Sequence, residues 1–409
     1  MKKILPFLIT ICLFWNTSVQ GQYTVNIDIT EAIKSQADFK LSDLVSKVEL
    51  LTLKSEGKLM LGDQPQVLYF GHTCILMRSE KGDRIGLYDR SGMLKTTIGR
   101  IGKGPGEYPL LATGTMDPLE KFVVLYDQTG QKLMLFDVTG QYLRENKVEA
   151  PRPSVLEEKL AFTGAETFGL MIPRPSAPTG EYASIRLFNL KLEPVGKVLP
   201  RANDSHLVRY NDPHAEFIAT PEGPIFWETL NDTIFRVRAD GKSIPLFCFN
   251  ITKNKIPESI LQDTHLYDKD PTVMGNYCSV NKVFLTPGFV IAQVAGSFSG
   301  FVFTNRENGK TFSTSKDLSC KNPSSSLNRK AYIENDIYGM EAILFEHYWP
   351  ESNALVGFFP AFYTKMLSDL DCIRKLNVRQ PEIRDKLLSI IKEELFDDEV
   401  VLVVHQVRN

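Results

Sequence analysis

The sequence has no excess of either charge, no long apolar run after its first residues, and no cysteines spaced as Cys-x-x-Cys. Each absence excludes something. With 47 Lys+Arg against 49 Asp+Glu the formal net charge is −2, so the basic footprint of a nucleic-acid-binding chain is missing. Charged residues are 23% and hydrophobic residues 43%, without a heptad or Gly-X-Y period, which excludes disordered, coiled-coil and collagen-like chains. Without Cys-x-x-Cys neither a zinc cluster nor a redox pair is indicated. Gly-x-Ser-x-Gly, His-Glu-x-x-His and an EF-hand loop are also missing, so no hydrolase, metalloprotease or calcium motif announces a chemistry.

What is present begins with an address. Lys2 and Lys3 precede an apolar stretch from Ile4 to Trp15, and Val19-Gln20-Gly21 puts small or tolerated residues before Gln22. That pattern predicts a secretory signal over residues 1–21 and cleavage before Gln22. The apolar stretch, about a dozen residues, falls short of the roughly 20 that a spanning helix needs. The mature chain is therefore expected to be soluble and monomeric, in the periplasm or outside the cell. Cys12 raises the rival reading of a lipid anchor, opposed by bulky Ile11 before it and by Leu13-Phe14-Trp15 after it. Five cysteines follow the leader: Cys74, Cys248, Cys278, Cys320 and Cys372. An odd number leaves at least one free thiol, and Cys278 with Cys320 is the pair expected first.

The 27 Gly and 23 Pro suit many short strands joined by turns. Strand, Asp/Asn/Ser/Thr-Gly turn, strand is the recurring unit: Arg84–Asp89 turns at Gly92, Lys132–Asp137 at Gly140, Asp232–Val237 at Gly241 and Gly300–Thr304 at Gly309. A less perfect copy runs through Ile185–Asn189 into Leu192-Glu193-Pro194. Turns recurring every ~40–50 residues in an all-strand chain predict propeller blades of four strands. The expected fold is all-β, a six-bladed β-propeller, with blades near 64–108, 109–150, 151–202, 203–250, 274–320 and 328–364. Residues 22–46 read as a lead-in, 47–409 as the propeller, and 251–273 as a helical insertion. Ile383, Leu387, Leu388, Ile390, Ile391 and Leu395 form one stripe at helical spacing, so 364–395 is expected to be helical with Pro381 in a first turn. A ring must pair its ends or leave raw edges. Val48–Leu53 and Val400–Val404 are therefore expected to join the last blade and close the circle.

The stretch Ile98-Gly99-Arg100-Ile101-Gly102-Lys103-Gly104-Pro105-Gly106-Glu107-Tyr108 resembles the G-x-x-G-x-G-P-G-E-Y signature of secreted, NHL-like six-bladed β-propeller proteins of gut-dwelling anaerobic bacteria. Val48-Glu49-Leu50-Leu51-Thr52-Leu53 is similar to that family's opening strand, Asn231-Asp232-Thr233-Ile234-Phe235 to its N-D-T-I-Y strand entry, and Asp397-Asp398-Glu399 to the acidic step before its last strand. Glu334-Asn335-Asp336-Ile337-Tyr338-Gly339-Met340 resembles N-D-I-D-G-G but carries Tyr338 and Met340 in place of the second acid and second glycine. The resemblance implies a fold and leaves the chemistry open.

Candidate site residues are few. The Gly-Lys-Gly-Pro-Gly-Glu loop lacks the helix and Lys-Ser/Thr of a phosphate cradle and reads first as a tight inter-blade turn. Were it a ligand site, Arg100 and Lys103 would recognise an anion and Glu107 would orient them. Asp232 and Asp336 are the further ligand-binding candidates. His206, Asp212 and His214, in a polar stretch that also holds Asp204, are the candidate ligands for a divalent metal cofactor. Aromatic density at Phe345, His347, Tyr348, Trp349, Phe358, Phe359, Phe362 and Tyr363 reads first as blade core and second as a sugar or peptide platform. The expected function is non-enzymatic binding of a peptide, glycan or envelope protein through the propeller face or channel. A hydrolase or lyase with a channel metal is the alternative.

Overall fold

The structure, a computed structural model, describes residues 24–55, 57, 59–62, 65–148, 159–172, 184–198, 215–220, 223–228, 232–257, 273–322, 330–340, 345–359, 364–366, 368–393 and 400–408. Six four-stranded antiparallel sheets follow one another along the chain as the blades of a β-propeller. Blade 1 runs through Gln66–Phe70, Cys74–Arg78, Ile85–Asp89 and Leu94–Thr97, and blade 2 through Leu111–Met116, Phe122–Asp127, Lys132–Asp137 and Tyr142–Lys147. Blade 3 comprises Lys159–Phe162, Thr167–Ile172, Ser184–Asn189 and Pro194–Val198; blade 4, Ala215–Ile218, Ile225–Glu228, Thr233–Val237 and Ser243–Asn250. Blade 5 holds Cys278–Leu285, Phe289–Gly296, Gly300–Asn305 and Thr311–Thr314. In every blade the first strand is innermost, beside the channel.

The apolar runs are uninterrupted because each blade is covered on both faces by its neighbours. Val124, Tyr126, Leu133 and Leu135 of blade 2 pack with Phe162, Phe168 and Leu170 of blade 3 in one buried cluster. Burial of each such side chain contributes roughly 1.5–3 kcal/mol. The turns repeat as chemistry as well as spacing. Asp89 accepts the amides of Ser91 and Met93, Asp137 those of Thr139 and Gln141, and Asn189 those of Lys191 and Glu193. The residue that closes each turn is left-handed: Gly92 at φ +86°, Gly140 at +86°, Gly241 at +80°, and Leu192 at +65°. Leu192 is why the third unit reads as an imperfect copy. It keeps the conformation without the glycine and buries its side chain completely.

Blade 6 closes the ring with both chain ends. Its strands are ordered His347–Trp349, Ala354–Phe358, Val400–Val407 and, outermost, Val45–Leu53. Before that strand the lead-in does something the sequence did not foretell. Val25–Asp28 adds a fifth strand, parallel to Ser243–Asn250, on the outer edge of blade 4. Helix α1 (Ile29–Lys34), capped by the Asp28 carboxylate on the Glu31 amide, crosses to blade 5, where Gln36 bridges Ser313. Helix α2 (Leu41–Leu44) then delivers the chain to blade 6. The lead-in is a belt over the outer edges of three consecutive blades.

The helical tail divides into α3 (Leu370–Lys375) and α4 (Pro381–Glu393), with Pro381 opening the latter, where its missing N–H costs nothing. Within the expected insertion at 251–273, residues 251–257 are irregular, Val273–Asn276 is a single 3-10 turn, and the remainder lies outside the described residues. The cysteine expectation is corrected. Cys320 pairs with Cys372, 52 residues on, while Cys278 is buried and free alongside Cys74 and Cys248. Cys278 opens the innermost strand of blade 5, whereas Cys320 lies beyond that blade's outermost strand, in the connection to blade 6. Among the described residues no helix is long and apolar enough to cross a membrane.

Candidate functional site: the central channel

The meander sorts the connections onto two faces. Turns from first to second and from third to fourth strand are short and share one face. Connections from one blade to the next share the other, together with the 359–399 segment that carries α3 and α4. We call them the turn face and the loop face. Between them runs a channel whose cavity, about 90 Å³, is lined by residues of the inner strands of blades 1, 2, 3, 4 and 6.

At the loop-face end, four blades each contribute one charge. Lys159 opens the inner strand of blade 3, Glu216 is second in that of blade 4, Lys282 lies in that of blade 5, and Glu346 immediately precedes that of blade 6. Among the described residues no carboxylate reaches ion-pair distance of Lys282; its ammonium stands 5.8 Å from the centre of the Phe284 ring. Burial holds the Lys282 amine below the usual lysine range, only partly opposed by Glu216 and Glu346. Burial likewise raises the Glu346 carboxyl, against the pull of Lys282 and Lys159. A desolvated ammonium without an ion pair is costly, and a perturbed group in a cleft is a candidate functional site. Lys282 in this setting suits a ligand that brings an anionic group.

The signature loop is held by contacts within itself. It joins the outer strand of blade 1 to the inner strand of blade 2, and Arg100–Ile101 pairs in parallel with Glu107–Tyr108 inside it. The Arg100 guanidinium, 80% exposed, meets Glu107 at 2.7 Å. The other Glu107 oxygen accepts the Gly104 amide at 2.8 Å. That amide first, and Arg100 second, hold the Glu107 carboxyl below its usual range. Lys103 is exposed on the same loop. Gly106 has φ +69°, and a Cβ there would lie 2.8 Å from the Tyr142 ring. Gly106→Ala is expected to cost about 1–2 kcal/mol for the left-handed backbone alone, read as a lower melting temperature.

The other candidates do not converge with this loop. Asp232 lies at the entry to the third strand of blade 4, exposed, with Lys255 3.8 Å away. Asp336, in the connection from blade 5 to blade 6, accepts the amide and hydroxyl of Ser42 at 3.0 and 2.6 Å and pairs with Arg379 at 3.0 Å. Its carboxylate fastens the belt to the helical tail. Tyr338 and Met340, the departures from the family pattern, are buried, and the Tyr338 hydroxyl meets His405 Nε2 at 3.0 Å. His206, Asp212 and His214 lie outside the described residues. Among the described residues no three His, Cys, Asp or Glu side chains are grouped to hold a metal. The aromatic expectation splits: Phe345 and Tyr348 are buried, Phe358 and Phe359 half-buried, His347 and Trp349 line the channel cavity together with Tyr348, and Phe362 and Tyr363 lie outside the described residues.

The chain belongs to the family described as Domain of unknown function (DUF4934), matched over residues 24–405. A Bacteroides fragilis protein named for its inferred export has a similar solved structure, with 14% identity, coverage of 95% of this chain and 100% of that one, and a TM-score of 0.61. A Bacteroides vulgatus member of the DUF4221 family is similar at 10% identity, with 90% and 98% coverage and a TM-score of 0.48. No functionally curated protein matches the sequence.

Proposed function

We propose that this DUF4934 chain is an exported, non-enzymatic binding protein that recognises a peptide, glycan or envelope protein at the loop-face end of its channel. The observation that carries the reading is the buried Lys282 ammonium, without an ion pair among the described residues, with Lys159, Glu216 and Glu346 contributed around it by three other blades. Export is supported by the leader pattern over residues 1–21, by the Cys320–Cys372 disulfide, and by the name of the similar B. fragilis protein. The metal-dependent hydrolase or lyase alternative rests on His206, Asp212 and His214, outside the described residues.

Cross-linking in the native envelope, followed by identification of the captured species and by peptide and glycan arrays, tests the reading. Lys282→Ala is expected to weaken the captured interaction at least about tenfold, or about 1.4 kcal/mol, because the partner's anionic group loses its desolvated counter-charge. Unchanged affinity in that variant, or blank arrays at high protein concentration, would count against the loop-face site.

A further inference from the structure

The opposite, turn-face end of the channel has a different chemistry. The last residue of the inner strand of blade 6, Trp349, meets Tyr69 of blade 1 with ring centroids 5.9 Å apart and planes at 69°. His347 meets the same indole at 5.8 Å and 66°. Glu351 follows in the next turn, and Tyr69, His347, Trp349 and Glu351 all line the channel cavity. One carboxylate oxygen of Glu351 and the indole N–H of Trp349 are buried without a hydrogen-bond partner. Both residues nonetheless remain partly open to solvent.

The neighbouring carboxylates are differently placed. Glu120, in a left-handed turn at φ +54°, accepts the amides of His72 and Thr73 and the Thr73 hydroxyl, so its charge is fully engaged. Asp117 accepts the amides of Leu119, Lys121 and Phe122. Arg90, the nearby guanidinium, is committed to the Gly71 carbonyl and lies 4.0 Å over the Phe70 ring. Among the described residues no lysine or arginine forms an ion pair with Glu351. An aromatic pair beside carboxylates, one of which keeps a buried oxygen without a hydrogen-bond partner, is therefore left without a lysine or arginine.

We propose that this end of the channel binds an organic cation, the ammonium or guanidinium of a lysine or arginine side chain on a partner, held by the Trp349 and Tyr69 rings and the Glu351 carboxylate. A cation is attracted to ring faces and supplies both the charge and the donors that Glu351 lacks. A neutral sugar could satisfy the hydroxyl-sized hydrogen bonds but would leave the carboxylate's charge uncompensated in a desolvated place. The indole N–H finds its acceptor in a carbonyl beside the cation, which favours a peptide over a bare amine.

Trp349 is its own reporter. The sequence has 3 Trp, of which Trp15 lies in the leader and Trp227 is fully buried in blade 4. Titrating the purified chain with N-acetyl-arginine amide is expected to give a saturable change in indole emission. N-acetyl-citrulline amide, the uncharged isostere, is expected to give none. Glu351→Gln should weaken the midpoint about tenfold, while Glu351→Asp, which keeps the charge, should retain most of the response. Equal responses to arginine and citrulline, no saturable change, or a Glu351→Gln midpoint equal to that of the unmodified chain would overturn the proposal. If Glu351→Gln does not fold, by its melting curve, the arginine–citrulline comparison on the unmodified chain decides. Lys282→Ala is expected to leave this titration unchanged, so failure at the loop-face end and failure here are separable.

Discussion

Reducing the Cys320–Cys372 disulfide is expected to lower stability by about 4 kcal/mol, the largest single effect predicted for this molecule. The bond closes a loop of 52 residues that contains the inner two strands of blade 6. Without it the unfolded chain regains the freedom of that loop, and the entropy of closing it again opposes folding. The folded state retains the local ties: the Asp369 amide on the Cys320 carbonyl at 2.7 Å and the Asn322 side chain on the Met366 carbonyl at 3.1 Å. These hold α3 against the connection from blade 5 once folding has occurred, but they do not restrict the unfolded chain. Thermal melting with and without dithiothreitol measures the difference. Cys320→Ala and Cys372→Ala should each reproduce the reduced value, and the double variant should add nothing. Equal melting temperatures in both redox states would refute the pairing as a stabilising element. Thiol titration of the denatured, unreduced chain should find Cys74, Cys248 and Cys278 reactive.

The second large effect is a loss of stability in acid that originates at His405. This side chain is buried in blade 6, its Nδ1 facing the Leu355 carbonyl at 3.3 Å and its Nε2 the Tyr338 hydroxyl at 3.0 Å. The imidazole is thus neutral, with the proton on Nδ1 and Nε2 accepting from tyrosine. Burial drives its pKa from 6.5 down to about 4, against a smaller upward pull from the Leu355 carbonyl. The unfolded chain takes up a proton as pH falls through 6.5, and the folded chain refuses it until about 4. Stability therefore decreases across that window, by about 3 kcal/mol at its acid end, and is fully present above it. Other groups shift in both directions: the Asp89 and Asp137 carboxyls are held low by turn hydrogen bonds, and Glu346 and Glu351 are raised by burial. The measurement is therefore a difference. Denaturant midpoints between pH 4.5 and 7.5 should fall less steeply in His405→Gln than in the unmodified chain, and parallel slopes would sink the assignment.

How much could be read from the residues alone follows from the range over which each signal acts. Blade repeats are local. Asp89 with Gly92 and Asp137 with Gly140 write turn, capping carboxylate and left-handed residue within four positions, so the repeat and the propeller were legible. The α4 stripe and its Pro381 were legible for the same reason. Val25–Asp28 was not: four residues with a mixed exposure pattern acquire meaning only beside Ser243–Asn250, more than two hundred positions away. Cys320 and Cys372 carry no local mark of their pairing, because the helical tail that brings them together is itself placed by blade 6. The channel charges are the extreme case. Lys159, Glu216, Lys282 and Glu346 are single residues at or near four strands, in no motif, and ring closure alone makes them neighbours. Trp349 stood in the aromatic stretch already noted, but its separation from core residues such as Tyr348 depends on strand alternation.

The belt has a consequence for how the molecule is made. The strands at 25–28 and 45–53 are synthesised well before their partners at 243–250 and 400–407. Contacts of such sequence separation slow folding, because long loops must close before any pairing rewards them. Until residue 400 arrives the nascent chain cannot seal its ring, and the strands 45–53 and 354–358 of blade 6 present bare edges to any other strand in reach. A chain built this way delays its own completion until its last strand is in place.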